Sequence, residues 1–246
     1  LDKVESPEQF YITAKAFGRF AYDLNDFDAS QLVEVIPQFH DTRNRYRQLE
    51  EAIKEDRVGR VKEVQEEIAF IQNRKADCFL LYDLLDEGVL PLRVTHNDTK
   101  LNNIMFDSET KEPLCIVDLD TVMPGLVLFD FGDSIRFGAN DCAEDEPDLS
   151  KVNFDFDLYE TYVKGFIEGT NGILTEAELE YLPWGARVIT LEQGIRFLTD
   201  YINGDVYYQT TRPGQNLDRA RTQLKLVQDM ENVWDKMVEA VQNAQK

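Results

Sequence analysis

The chain has 246 residues, of which 43% are hydrophobic, and its formal net charge is −21. This length and apolar content suffice for one large domain with a packed core and argue against a disordered chain. The negative charge repels nucleic acids, and no run of about 18 apolar residues predicts a membrane helix. Three scattered cysteines suit a reducing compartment. We therefore expect a cytoplasmic protein that binds neither nucleic acid nor membranes, and its oligomeric state stays open.

The first part of the chain has the pattern of helices. Ser6 is a good cap residue, Pro7 suits the first helical position, and Gln9 completes a capping box. Helical spacing of apolar residues then predicts three helices, the last with a candidate break near 74–77. They cover residues 7–24, 41–55 and 61–85. His40 lies in a polar stretch between two of these helices, and we expect it at the surface.

A short β-rich segment interrupts the helices. Residues 93–95 are strand-like, and two apolar runs at 104–106 and 114–117 flank a polar turn, which is the pattern of a β-hairpin. After Asp120 the helical pattern returns, with an acidic loop at 141–148 that we expect to be mobile. These later helices cover residues 129–137, 156–168, 176–201 and 217–244. Because a lone hairpin is not stable in water, it must pack on the helices, and its polar flanks indicate that it positions them.

The polar residues at the two ends of the hairpin point to phosphoryl transfer. Residues 96–103 read His-Asn-Asp-Thr-Lys-Leu-Asn-Asn and precede the hairpin, and Asp118 follows it. Such a transfer needs a carboxylate that orients the attacking hydroxyl and oxygen ligands that hold Mg²⁺ on the phosphates. Asp98 can serve as the base. Asn103 and Asp118 stand at the ends of the hairpin, so we expect them side by side as metal ligands.

This arrangement resembles a known family. The pattern His-x-Asp-x-x-x-x-Asn, a hairpin and a strand ending in Asp resembles the catalytic segment of protein-kinase-like phosphotransferases. The second acid, Asp120, and the helical surroundings are similar to the branch of aminoglycoside phosphotransferases and choline kinases. Within that branch, four segments resemble N-acetylhexosamine 1-kinases, namely 95–103, 117–121, 191–197 and 203–208.

The resemblance implies a fold and cofactors. The fold is α+β and mainly helical, the C-terminal lobe of a protein-kinase-like fold with a small β-hairpin at the active site. Mg²⁺ is the implied cofactor, ATP the co-substrate, and a small molecule the acceptor. Kinases of this type bind ATP with an additional N-terminal, β-rich lobe. The resemblance therefore treats residues 1–246 as the catalytic and acceptor-binding lobe and expects the ATP-binding lobe outside this sequence.

Several residues receive a role from the resemblance. Asp120 would bind a second Mg²⁺, with a turn cap as the alternative. Asp130 would support the catalytic loop by hydrogen bonds; the alternative is that Asp130 and Asp133 are acids in the first turn of a helix, favoured by the helix dipole. His96 would fix the loop geometry rather than act as a base, and the role of Lys100 stays open.

The triplet that begins at Asp130, Asp-Phe-Gly, spells the metal-binding motif of protein kinases. We do not assign the metal to it. It follows Asp118 by twelve residues and lies in a helical pattern, rather than at a strand end beside Asn103.

For the acceptor, the resemblance implies contacts from Arg196 and Tyr207, and Phe137 would add an aromatic wall. A guanidinium offers rigid donors to sugar oxygens, and aromatic rings stack on the apolar face of a pyranose. The alternatives place Phe137 in the core and pair Arg196 with an acid. The expected acceptor is the anomeric hydroxyl of an N-acetylhexosamine.

Two other functions compete with this one. A kinase for choline, an amino alcohol or an aminoglycoside would attract its cationic acceptor to acidic surfaces such as 141–148. A non-catalytic binding module of the pseudokinase type is the second. The joint presence of Asp98, Asn103 and Asp118 argues against it, because a lobe without activity does not need all three.

Overall fold

The computed structural model describes residues 4, 6–140 and 142–246, and within them it contains nine α-helices and four short β-strands. The helices are α1 (Pro7–Asp23), α2 (Thr42–Glu55), α3 (Gln65–Gln72), α4 (Lys75–Asp86), α5 (Val127–Gly138), α6 (Phe156–Thr170), α7 (Glu176–Asn203), α8 (Gln215–Asn232) and α9 (Trp234–Ala244). The strands are β1 (Arg93–Thr95), β2 (Ile104–Phe106), β3 (Pro113–Ile116) and β4 (Met123–Gly125). This mainly helical fold confirms the predicted class. Among the described residues, no helix is both long and apolar enough to cross a bilayer.

Two of the predicted helices are divided in the structure. The helix expected at 61–85 consists of a 3₁₀ turn followed by α3 and α4, which are separated at Asn73. The helix expected at 217–244 is α8 and α9, because the backbone of Val233 leaves the helical region at φ −115°. Ser6 caps α1 as predicted, and its hydroxyl oxygen accepts a hydrogen bond from the backbone amide three residues later.

The strands form two separate antiparallel pairs. β2 and β3 are the predicted hairpin, with Ile104 opposite Ile116. β1 pairs with β4, which was not predicted because a Met-Pro-Gly segment has low strand propensity. Gly125 permits this pairing, since a Cβ atom there would lie 2.3 Å from the hydroxyl oxygen of Thr95. The pairing brings the chain after the hairpin back beside the chain before it.

Helix α7 lies between two apolar cores. The larger core joins α1, α5, α6 and α9 to the N-terminal part of α7, and the smaller joins α2, α3 and α8 to its C-terminal part. Helices α5 and α7 approach closely at Gly132 and Gly185. A Cβ atom on Gly132 would lie 2.3 Å from the carbonyl oxygen of Gly185. The glycines thus set how closely α5 packs on α7.

The acidic loop is bonded to its neighbours, and its mobility stays a prediction. Asp141 lies outside the described residues. In the remainder, Glu144 forms an ion pair of 3.1 Å with Arg136 of α5. The carbonyl oxygen and the carboxylate of Asp145 both contact the guanidinium of Arg212. These ion pairs hold the loop and offset part of its negative charge.

Candidate active site

Buried carboxylates of α5 hold the loop that carries Asp98. The two carboxylate oxygens of Asp130 accept hydrogen bonds from the backbone amides of His96, at 2.8 Å, and Asn97, at 2.7 Å. Burial raises the pKa of Asp130 to about 6, although these amide bonds favour the ionised form. Asp130 therefore acts on the loop backbone, which is the geometry that a supporting role requires.

Asp133, one turn further along α5, continues this contact. Its carboxylate accepts a hydrogen bond from the backbone amide of Thr99 at 3.0 Å. Ser134 donates its hydroxyl to the carbonyl oxygen of Thr99 at 2.6 Å. Burial opposes the ionisation of Asp133, but the charges of Arg136 and then Lys100 outweigh burial and lower its pKa. Sequence reasoning gave Asp133 no such role, because its contact with the loop exists only after folding.

His96 is fully buried and bonded through both ring nitrogens. Its Nε2 lies 3.0 Å from the carbonyl oxygen of Val117, and its Nδ1 lies 3.3 Å from the backbone amide of Asp98. A carbonyl needs a donor and an amide needs an acceptor, so these contacts fit a ring that donates from Nε2 and accepts at Nδ1. Because neither nitrogen is free to take a proton from a substrate, His96 joins the loop to the hairpin rather than acting as a base.

Asp98 lies in this loop with two direct partners. One carboxylate oxygen forms an ion pair of 2.6 Å with Lys100, and the other accepts a hydrogen bond of 3.1 Å from the side-chain amide of Asn103. The same amide of Asn103 donates to the carbonyl oxygen of Asp98 at 2.8 Å. With its nitrogen used in this way, Asn103 keeps its side-chain oxygen for another group.

Asn103 and Asp118 flank the hairpin as expected. The amide of Val117 donates to the carbonyl oxygen of Asn103 at 2.9 Å, so Asp118 follows directly beside it. The backbone of Asp118 is left-handed, with φ 62°, and its side chain and that of Asp120 are exposed. Amide and carboxylate oxygens are the ligands that Mg²⁺ takes from proteins, so these residues fit the ion. No cluster of three or more His, Cys, Asp or Glu side chains suited to a metal occurs in the described residues.

A cavity of about 700 Å³ opens next to the loop. Asp98, Lys100, Phe137 and Arg196 line it, so the structure brings three of the predicted site residues together. Tyr207 is a correction: its side chain is 73% exposed and lines a smaller neighbouring cavity instead. The next residue, Tyr208, lines the main cavity, and sequence reasoning missed it because the direction of a side chain in a loop cannot be read from the sequence.

Arg196 has no acidic partner within ion-pair distance among the described residues. Its guanidinium donates to the side-chain oxygen of Gln193 at 3.1 Å and lies over the rings of Phe39, at 5.5 Å, and Tyr208, at 5.7 Å. The described residues thus do not show the ion pair that the alternative interpretation of Arg196 requires. Donors that carry no ion pair remain available to a molecule in the cavity.

The segment that brings Tyr208 to the cavity is held by one buried carboxylate. Asp200 of α7 accepts hydrogen bonds from the backbone amides of Val206, Tyr207 and Tyr208, at 2.9, 2.8 and 3.0 Å. The side-chain amide of Asn216 on α8 donates a fourth, at 2.9 Å. The segment is therefore fixed through its backbone, and the side chain of Tyr208 adds contacts with Gln193 and Phe197.

Comparison with known proteins agrees with this geometry. The phosphotransferase enzyme family known as APH matches residues 3–162, which is more than half of the chain. The chain belongs to this family. Its structure is similar to that of choline kinase from Cryptosporidium parvum Iowa II, with a TM-score of 0.54 and 14% sequence identity over 96% of this chain and 69% of that one. At this identity the likeness concerns the fold.

In this phosphotransferase, His40 is a buried part of the cavity wall, not the surface residue that the sequence suggested. Its ring nitrogens lie 3.0 Å from a carboxylate oxygen of Glu192 on α7 and 3.2 Å from the carbonyl oxygen of Asn97. Both partners are acceptors, so both nitrogens donate and the ring is protonated. Thr42 donates to the second oxygen of Glu192 at 2.8 Å. The pair thus joins α7 to the loop.

The two charges of this pair support each other. Burial opposes the protonation of His40, but the carboxylate of Glu192 and more weakly that of Asp133 outweigh it, and the pKa of His40 is raised above its usual 6.5. Burial likewise opposes the ionisation of Glu192, but His40 outweighs it and lowers the pKa of Glu192. The contribution of protonated His40 to the stability of the folded state is complete below pH 6.5. It is lost as the pH rises through the raised pKa of His40. That from Glu192 is lost only at acidic pH.

We predict that Glu192→Gln reduces the free energy of unfolding more at about pH 6 than at about pH 8, because His40 loses its carboxylate partner and this partner matters most where the folded ring is protonated. Urea unfolding at both pH values measures the difference. Glu180→Gln, on an exposed position of the same helix, is the control and should show no such pH dependence. An equal loss at both pH values would mean that His40 is neutral in the folded protein.

Proposed function

We propose that the protein is a small-molecule kinase that transfers the γ-phosphoryl group of ATP to a sugar hydroxyl, specifically the anomeric hydroxyl of an N-acetylhexosamine. The observation that carries this proposal is the shared cavity of Asp98 and Arg196. It places a carboxylate suited to orient a hydroxyl in one chamber with a guanidinium that has no ion pair and with aromatic walls. Membership of the phosphotransferase family supports the reaction class.

Asp98 is the proposed base. Its carboxylate lies at the cavity, where it can accept the proton of an attacking hydroxyl and orient that oxygen for transfer. The hydrogen bond from Asn103 to its carboxylate and its ion pair with Lys100 restrict its rotamer. Lys100 stands beside the place where phosphoryl transfer would occur, and its charge suits the phosphoryl oxygens.

Asn103 and Asp118 are the proposed ligands of Mg²⁺, with Asp120 as a ligand of a second ion. The metal would offset the charge of the ATP phosphates, which the negative surface otherwise repels. Near these ligands the hairpin exposes large apolar side chains, including Met105 and Leu114. An apolar face of this kind is typical of an interaction surface, which supports the proposal of a separate ATP-binding lobe over the hairpin.

A kinase for choline or an amino alcohol is the second candidate. The fold similarity to a choline kinase favours it, and aromatic rings of the cavity would also suit a quaternary ammonium group. Two observations weigh against it. Arg196 places a positive charge in the cavity without an ion pair among the described residues, and the acids Glu144 and Asp145 of the acidic loop are paired with arginines. A neutral sugar is not repelled by the charge of Arg196 and does not need free acids for binding.

We expect the full-length protein with Mg-ATP to release ADP in the presence of GlcNAc or GalNAc and to be inactive with choline or an aminoglycoside. The acceptor panel is measured by coupled ADP release, and the phosphorylated product is identified by mass spectrometry and NMR. Turnover of choline or the aminoglycoside without either hexosamine would overturn the sugar assignment and leave the kinase assignment in place.

Asp98→Asn should lower kcat at least about a hundredfold, as expected for loss of a general base. The amide keeps the shape of the side chain, so the circular dichroism spectrum should not change. Asp157→Asn, an exposed acid in the first turn of α6, is the matched control and should retain activity. Near-normal turnover by Asp98→Asn would remove Asp98 from the reaction.

Arg196→Lys should weaken sugar binding by roughly ten- to a hundredfold, because an ammonium cannot copy two parallel donors of a guanidinium. ATP affinity should hardly change. The KM values for both substrates give the comparison, with Arg57→Lys as the control, since Arg57 pairs at the surface with Glu55. Equal losses for ATP and sugar would place Arg196 outside the acceptor subsite.

A further inference from the structure

Two polar atoms of α8 are buried without a hydrogen-bond partner within the described part of the chain. They are the side-chain oxygen of Gln223 and Nε of Arg219. Both residues line the main cavity, and Gln223 is only 2% exposed. Residues four apart on a helix share one face, so an orphan acceptor and an orphan donor adjoin each other on the same wall. This wall has no assigned role in the proposed reaction.

Other contacts position both residues. The Nη1 atom of Arg219 donates to the carbonyl oxygen of Gln209 at 3.1 Å and to the side-chain oxygen of Asn216 at 3.0 Å. Its Nε lies 4.0 Å from the carboxylate of Glu144, which is too far for a hydrogen bond. Gln223 packs on Gly194 of α7, where an added Cβ atom would lie 3.3 Å from the Cβ of Gln223.

An unpaired buried carbonyl oxygen is unfavourable, and most such groups in folded proteins are satisfied. This one borders a cavity of about 700 Å³ that also contains Asp98. A ligand in that cavity would supply the missing donor. Water can satisfy the oxygen in the free protein, and an acceptor that displaces this water must then replace its hydrogen bond.

We propose that Gln223 is a specificity-determining residue, whose side-chain oxygen accepts a hydrogen bond from a neutral donor of the acceptor, a hydroxyl or the N–H of an acetamido group. This inference rests on the proposed function. A hexosamine offers several donors besides the hydroxyl that is phosphorylated. Choline has a single hydroxyl and no N–H, so its binding would leave Gln223 unpaired. Sites built around a hydrogen bond reject ligands that lack it.

The test compares hexosamine analogues on the full-length protein. Each analogue lacks one donor, through removal of one hydroxyl or methylation of the acetamido nitrogen. For the wild type, we expect one analogue to lose about tenfold to a hundredfold in kcat/KM. Gln223→Met keeps the shape of the side chain but has no acceptor oxygen. For this variant, kcat/KM with that analogue should equal kcat/KM with the complete hexosamine. Gln223→Glu keeps an acceptor oxygen and should keep the discrimination. The analogue that loses activity identifies whether Gln223 accepts its hydrogen bond from a hydroxyl or from the acetamido N–H.

Thr199→Val is the matched control, because Thr199 also has an orphan buried hydroxyl but lines the smaller cavity. Its analogue profile should equal that of the wild type. Identical profiles for the wild type and Gln223→Met would overturn the inference while hexosamine turnover stands. No turnover of any hexosamine would overturn both proposals.

A measurement on the wild type covers the case in which Gln223→Met does not fold. The side-chain amide signal of Gln223 in the NMR spectrum should shift on saturation with GlcNAc and shift less with the analogue that lacks the relevant donor. An unchanged signal at saturation would overturn the inference.

Discussion

The active-site geometry depends on the hydrogen bonds by which Asp130 and Asp133 hold the backbone of the loop around Asp98. Three backbone amides of that loop donate to these two carboxylates. Both acids project from α5, whose position is set by the contact of Gly132 with Gly185 on α7. The loop that carries Asp98 is therefore positioned by the pair of helices α5 and α7, and α7 also supplies Arg196 to the cavity. One packing contact thus relates the proposed base to the proposed acceptor subsite.

The two histidines reinforce this arrangement with different partners. The ring of His96 lies between one acceptor and one donor, whereas the ring of His40 lies between two acceptors, and its pKa is raised. Each binds backbone of the loop, so neither is a base for substrate. The charge of His40 is balanced by Glu192, which keeps a buried cation from destabilising the cavity wall. Asp98 is left as the carboxylate of the loop that faces the cavity.

The features that could be predicted from the sequence are those that depend on residues close together in the chain. The hairpin, the loop motif and most helices follow from short-range patterns, and so does the placement of Asn103 beside Asp118. The missed features depend on distant contacts. His40 and Glu192 are 152 residues apart in sequence, so their pairing leaves no local signal. Asp133 resembled an ordinary helix acid, and Tyr208 could not be told from Tyr207, because only the folded loop decides which ring faces the cavity.

The segment that brings Tyr208 to the cavity is held largely by bonds to its backbone, which do not depend on the type of side chain. Asp200 binds three of its backbone amides, and every residue type except proline provides such an amide. A substitution of Tyr208 would therefore keep the backbone bond to Asp200 but lose the contacts of its side chain with Gln193 and Phe197. The side chains of Val206 and Tyr207 are exposed, so both can change without disturbing the backbone bonds that position Tyr208 at the cavity.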